Sequence, residues 1–227
     1  MIRHLTIPLA LIACALSTPC AARGQAAGVV EGTLVNGLGP AKKTASRYPS
    51  GATALRGLQP VAAVVYLTGD GLAAPPAGGA AAVLDVVQRD TAFAPSSIAI
   101  RAGTVVRFPN ADPFFHNVFS YASNARFDLG RYPEGESREV TFRERGIARV
   151  FCEVHEFMRA VVVVTDHPFH AVVADDGSFR IEGIPPGEHT LVAHHPDVGS
   201  VRWTVVVRGG ERVRVELDLG ADRLSAR

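Results

Sequence analysis

The stretch from Ile147 to Val164 constrains this chain more than any other. Ile147 to Phe151 and Ala160 to Val164 are short apolar runs that read as two strands. Between them stands Phe151-Cys152-Glu153-Val154-His155-Glu156-Phe157-Met158, which puts a thiol, an imidazole and a thioether on one strand-connecting loop. Upstream, Asp112-Pro113-Phe114-Phe115-His116-Asn117-Val118 supplies a second imidazole. A lone Cys is most often a small buried hydrophobe, and a Met beside a Val run is ordinary core. The order and spacing of these residues next to a strand set the combination apart. For the four side chains to meet, two separate segments must be held together at one end of a rigid frame.

The rest of the chain supplies such a frame. No stretch shows a sustained helical period, whereas short alternating runs recur between turn signals. Val29 to Val35 ends at Asn36-Gly37, and Val61 to Leu67 is a second short strand. Leu38 to Pro60 and Thr68 to Ala80 read as loop. From Val83 the strands follow closely: Val83 to Val87, Ser97 to Ile100, Thr104 to Phe108, Val118-Phe119, Ser137 to Phe142 and Ile147 to Phe151. Arg126 to Gly130 reads as the approach to a Gly-rich bend. Beyond Thr165, Asp175-Asp176-Gly177 and Ile184-Pro185-Pro186-Gly187 are turns into further strands, and Trp203 to Val207 and Arg212 to Leu219 alternate. Asp in such a turn serves backbone geometry. Strands at this spacing predict an all-β chain of sandwich architecture.

The chain has 227 residues, enough for one or two domains. Lys and Arg total 23 against 22 for Asp and Glu, which argues against nucleic acid as the main partner. Beyond the amino terminus no apolar stretch is long enough for a membrane span. Arg3 ahead of the apolar run Leu5 to Leu16, followed by small residues, reads as an export signal over residues 1–27, with a periplasmic or otherwise exported destination. Leu11-Ile12-Ala13-Cys14 also resembles a lipoprotein cleavage box. With Cys14 and Cys20 in the leader, Cys152 is the one cysteine left to the exported chain. A thiol in an oxidising compartment is a liability unless something occupies it, and a metal bond does so.

The donor set narrows the metal. Two imidazoles, one thiolate and a weak thioether suit one-electron copper chemistry, because they hold Cu(I) and Cu(II) in one geometry. The Cys152-x2-His155-x2-Met158 loop, with the distant His116-Asn117, resembles the cupredoxins, and its short loop is most similar to that of amicyanin, where a Pro holds the position of Glu156. Phe93-x-Pro95, Gly103-Thr104-Val105-Val106-x-Phe108 and Asn110-x-Asp112 are similar to the opening half of a cupredoxin. The resemblance implies a cupredoxin-like Greek-key β-sandwich over 81–165. It also implies one type-1 copper held by His116, Cys152 and His155, with Met158 axial and Asn117 tying the ligand segments together. Asp176-Gly177-x-Phe179 and Pro185-Pro186-Gly187 resemble the transthyretin-like carboxypeptidase regulatory-like module, over 166–220, with a tail at 221–227. Glu31-Gly32-Thr33 and Val64 to Leu67 resemble its first strands. One layout has residues 28–80 begin that module, with the copper domain inserted in its loop; the competing layout is a disordered amino-terminal tail followed by two consecutive domains. Proteins of this two-part layout resemble those labelled methylamine utilisation proteins.

The function expected is an exported electron carrier, not an enzyme, passing single electrons to a redox protein that docks near His155 and Phe157. Copper storage or delivery, or a binding sandwich without redox function, are the alternatives. His167, His170, His194 and His195 are expected on surface loops.

Overall fold

A computed structural model describes residues 26–35, 58–69, 71–72 and 82–220. The apolar leader with Cys14 and Cys20, the Asn36-Gly37 turn and the 221–227 tail lie outside the described residues. So does most of the two long loops.

All regular structure among the described residues is strand. The chain begins with β1 (Gly28–Val35) and β2 (Val64–Thr68). Then come β3 (Val83–Asp85), β4 (Val87–Arg89), β5 (Ala92–Ala94), β6 (Ser97–Arg101), β7 (Thr104–Pro109), β8 (His116–Ala122), β9 (Ala125–Tyr132), β10 (Ser137–Phe142), β11 (Gly146–Phe151) and β12 (Arg159–Thr165). The last five are β13 (His170–Val172), β14 (Ser178–Ile184), β15 (Gly187–His195), β16 (Gly199–Val207) and β17 (Arg212–Asp218).

Two apolar cores organise these strands. The first is walled by a five-stranded sheet ordered β6-β12-β11-β8-β9 and a three-stranded sheet ordered β10-β7-β3. Alternate residues of β6, β7, β11 and β12 point inward, as the two-residue side-chain period requires, and the separate β4-β5 pair adds Phe93. They bring Phe93, Phe108, Phe142, Val118, Val150 and Val162 together. The second core lies between β14-β1-β17 and β13-β2-β15-β16. It gathers Val30, Leu67, Phe179, Ile181, Leu191 and Leu217. β1 pairs with β14 and β17, and β2 pairs with β13 and β15, so strands ahead of the copper-like segment complete sheets that lie beyond it.

The strand β12 has cover on both faces. Ala160, Val162 and Val164 point into the first core. Val161 and Val163 point the other way, against Val61 and Val64. That is why Ala160 to Val164 reads as an unbroken apolar run, the signature of a strand buried on two sides.

The segment Arg126 to Gly130 is part of β9, paired along β8, and β9 leads on into the turn at Glu134-Gly135 that precedes β10. The pairing skips between Asn117↔Arg131 and Phe119↔Asp128, two positions on β8 against three on β9. Gly130, at φ 65°, lies in that bulge, where its missing Cβ admits the left-handed backbone. The strand absorbs Gly130 as a bulge, and the bend follows at Gly135.

Candidate metal centre

The sheet brings β8 and β11 side by side, with Phe151 opposite Phe119. His116 opens β8, Cys152 follows the last residue of β11, and His155 and Met158 lie on the connection from β11 to β12. His116 Nδ1 lies 3.1 Å from His155 Nδ1 and 3.6 Å from Cys152 Sγ. His155 Nδ1 is 4.0 Å from the same sulfur. The three ligand atoms all lie within 4.8 Å of one another, and they form the only such His/Cys/carboxylate group among the described residues.

Burial is graded across the group. His116 is fully buried and Cys152 nearly so, while His155 keeps part of its ring exposed. Met158 is fully buried in the same core as Cys152. Its backbone N–H donates to the His155 carbonyl at 2.9 Å, closing the loop into a tight turn. Burial, then the neighbouring His116 imidazole, pushes the His155 pKa below its ordinary value, with Asp112 opposing. A neutral imidazole is the form that binds a metal.

Polar residues around the group set its orientation. Asp112 Oδ2 accepts from His116 Nε2 at 2.8 Å. An ionised carboxylate only accepts, so the proton sits on Nε2 and the Nδ1 lone pair faces Cys152 and His155. Burial works against the Asp112 carboxylate, yet hydrogen bonds from His116 and from the Thr91 and Asp90 amides hold its pKa below the usual value. Those amides donate to Oδ2 and Oδ1 at 3.0 and 2.7 Å. Asp90 and Thr91 adopt φ of 54° and 55°, an uncommon backbone for residues with a Cβ. The turn thereby presents two adjacent N–H groups to one carboxylate. Asn110 Oδ1 accepts from the Asp112 N–H at 3.0 Å, and its Nδ2 donates to the Phe114 and Tyr132 carbonyls.

Asn117 joins the two ligand segments. Its Oδ1 accepts from the Glu153 N–H, next to Cys152, at 2.6 Å, and its Nδ2 donates to Asp128 at 3.1 Å. Around the partly exposed His155 stand Phe114 and Phe157, with ring centroids 5.3 and 5.9 Å away. Phe114, Phe115, Val154 and Phe157 are each more than a third exposed and make an apolar rim.

The structure thus brings together His116, Cys152 and His155, with Met158 buried beneath the same loop. The role of Asp112 was missed, although an Asp four residues ahead of a candidate His was a signal in the sequence. The surface placement expected for the other histidines is wrong for three of them: His167, His194 and His195 are buried, and His170 is half-buried in β13. The reason is pairing. β15, which carries His194 and His195, runs between β2 and β16, so both of its edges and much of its surface are covered. His194 Nδ1 meets Ser200 Oγ at 2.8 Å, and His195 Nε2 donates to the Val61 carbonyl at 3.1 Å.

Residues 80–165 match the family of copper binding proteins described as plastocyanin/azurin, so the cupredoxin resemblance holds for this segment. The match ends with β12 and does not reach the second core. No curated protein matches the chain. Among solved structures, a methionine-to-glutamine variant of amicyanin in its Cu(I) form is 23% identical over 37% of this chain and 82% of its own, with a TM-score of 0.35. A purple cupredoxin from Nitrosopumilus maritimus is 23% identical over 37% of this chain and 99% of its own, with a TM-score of 0.32. A copper-containing nitrite reductase from Thermus scotoductus SA-01 is 24% identical over 36% of this chain, with a TM-score of 0.35, and the chain spans only 22% of its length.

Proposed function

We propose that this protein is an exported electron carrier in which His116, Cys152 and His155, together with the buried Met158, would hold one type-1 copper ion. The observation that carries the reading is the convergence of two imidazole nitrogens and one thiol sulfur within 4.8 Å. A soft thiolate beside two imidazoles is a donor set for copper, and the copper family match over residues 80–165 supports it. Bound there, copper supplies one-electron redox chemistry.

The chain's own residues do the rest. Asp112 holds the His116 proton on Nε2 and so keeps Nδ1 free as a donor. Asn117 keeps the Cys152 segment against β8. The buried Met158 and Cys152 exclude water from the protein side of the group. A frame fixed this way changes little between oxidation states, which favours rapid transfer of a single electron. Four protein donors leave no open position for a substrate, so the reading is a carrier and not an enzyme. The partly exposed His155 edge, within the rim of Phe114 and Phe157, is the side at which a redox protein partner docks. A small apolar contact suits an encounter that must dissociate quickly.

The test is the visible and electron paramagnetic resonance spectrum of the purified protein after loading with Cu(II). Intense charge-transfer absorption from a copper-thiolate bond, lost on reduction, is expected. A protein that binds copper without that absorption would instead be a storage or delivery protein, and one that binds none would refute the reading.

A further inference from the structure

The ligand loop is held from outside its own sandwich. Residues 58–63 lead into β2, a strand of the second core, and they cross the base of the loop on the way. The Gln59 N–H donates to the Phe157 carbonyl, inside the loop, at 2.9 Å. The Gln59 carbonyl accepts from Arg159 Nε at 2.8 Å. Its side-chain Oε1 accepts from the Phe93 N–H at 2.9 Å, and its Nε2 donates back to the Phe93 carbonyl at 2.5 Å.

Arg159 directly follows Met158. Its two terminal nitrogens donate to the two carboxylate oxygens of Asp197 at 2.5 and 2.6 Å. Asp197 belongs to the turn between β15 and β16, on the second sandwich. His195 fixes that turn, accepting from the Asp197 N–H on Nδ1 at 3.2 Å while Nε2 holds the Val61 carbonyl. The Arg159 and Asp197 side chains are 13% and 19% exposed. A bidentate pair so far out of water is strong and directional, because the planar guanidinium fork meets the carboxylate in one orientation. Removing the carboxylate would leave Arg159 desolvated without its partner.

We propose that Gln59, Arg159 and Asp197 are positioning residues through which the second sandwich sets the conformation of the Cys152–Met158 loop. The second sandwich is then part of the site's machinery: it fixes Phe157 and Arg159, the residues on either side of Met158, and so the placement of Met158. The metal arm of the test rests on the copper reading, whereas its thiol arm does not.

The thiol arm measures the rate at which Cys152 of the metal-free protein reacts with a thiol reagent. In wild type the buried sulfur reacts only when the loop opens. Asp197→Asn is expected to raise that rate roughly tenfold, the lower end of what loss of a supporting contact does at a metal site. Arg159→Lys should act alike, since a point charge cannot reproduce the fork. Asp197→Glu, which retains a carboxylate, should return the rate toward wild type. Ser97→Ala removes a different bond between the units, from Ser97 Oγ to the Ala62 carbonyl at 2.8 Å, and should leave the rate unchanged. Gln59→Ala keeps the ion pair intact and carries the test if the Asp197 variants fail to fold. In the metal arm, Cu(II) loss to a chelator should also quicken roughly tenfold in Asp197→Asn, with a perturbed copper spectrum. Wild-type thiol rates in Asp197→Asn and Gln59→Ala, or equal acceleration in Ser97→Ala, would overturn the proposal. A wild-type protein that takes up no copper would refute the copper reading and leave the thiol result to decide this one.

Discussion

Asn117 Oδ1 accepts the Glu153 backbone N–H at 2.6 Å and thereby fastens the strand that carries His116 to the loop that carries Cys152 and His155. Asn117 is 2% exposed, so the bond has no water to compete with it. Asn117→Ala leaves the Glu153 N–H without its acceptor and removes one of the two donors to Asp128 Oδ1, the other being the Gly130 N–H. The expected cost is about 1–3 kcal/mol of stability, read from urea unfolding of the metal-free protein. An unchanged unfolding midpoint would remove Asn117 from this role.

The ligand assignment separates Cys152 from Met158. Cys152→Ser should abolish the intense visible absorption, because the colour comes from the copper-thiolate bond. Met158→Leu should retain it and raise the reduction potential, since a weak donor to Cu(II) is lost. The swap nearly conserves volume in a fully buried position, so it should cost under about 1.5 kcal/mol. A Cys152→Ser protein that stays blue would refute the assignment.

Asp112 orients His116 through Nε2, on the side of the ring away from Cys152 and His155. Asp112→Asn keeps the shape but replaces an obligate acceptor by an amide, which no longer dictates where the imidazole proton sits. Copper affinity should fall roughly 10- to 100-fold, measured by competition with a chelator. Equal affinity in the variant would show that the ring is oriented by its packing alone.

The largest histidine contributions to acid sensitivity should come from His170 and His194, in the second sandwich. Burial, and then the nearby His167, hold His170 at about 4, and burial, Arg149 and His195 do the same to His194. Both folded values lie below the ordinary 6.5, so the unfolded chain takes up protons first. The stability tied to these groups is intact above about pH 6.5 and is lost progressively as pH falls toward 4. Unfolding free energies of the metal-free protein at pH 7 and pH 5 should show the loss, and His194→Gln should make it smaller. A variant with the same slope as wild type would contradict the assignment.

Docking at the His155 edge is tested by Phe157→Ser and Glu156→Gln. Each should slow electron exchange with the natural redox partner while the visible spectrum hardly changes. Unaltered exchange in both variants would place the docking surface elsewhere.

Much of the site was legible because its donors lie close together in the chain. Cys152-x2-His155-x2-Met158 spans a single turn between strands, so its spacing alone brings the side chains near one point. The alternation of apolar residues likewise predicted strands, because side chains in an extended chain must face opposite sides. Asp112 and His116 are also near neighbours, and their pairing could have been read from that interval.

The rest depended on contacts between distant parts of the chain. Local pattern cannot say which strands of a sheet will be neighbours, and that choice buried His194 and His195, which sequence alone put at the surface. The bulge at Gly130 likewise depends on β8 as a partner, which no local pattern names. Gln59 and Arg159 stand 100 positions apart, and Arg159 and Asp197 stand 38 apart, so no spacing rule joins them. The local sequence determined which side chains can donate to a metal. Only the tertiary structure decided what holds them in place, because an arginine and an aspartate become a directional pair when folding brings them together and takes both out of water.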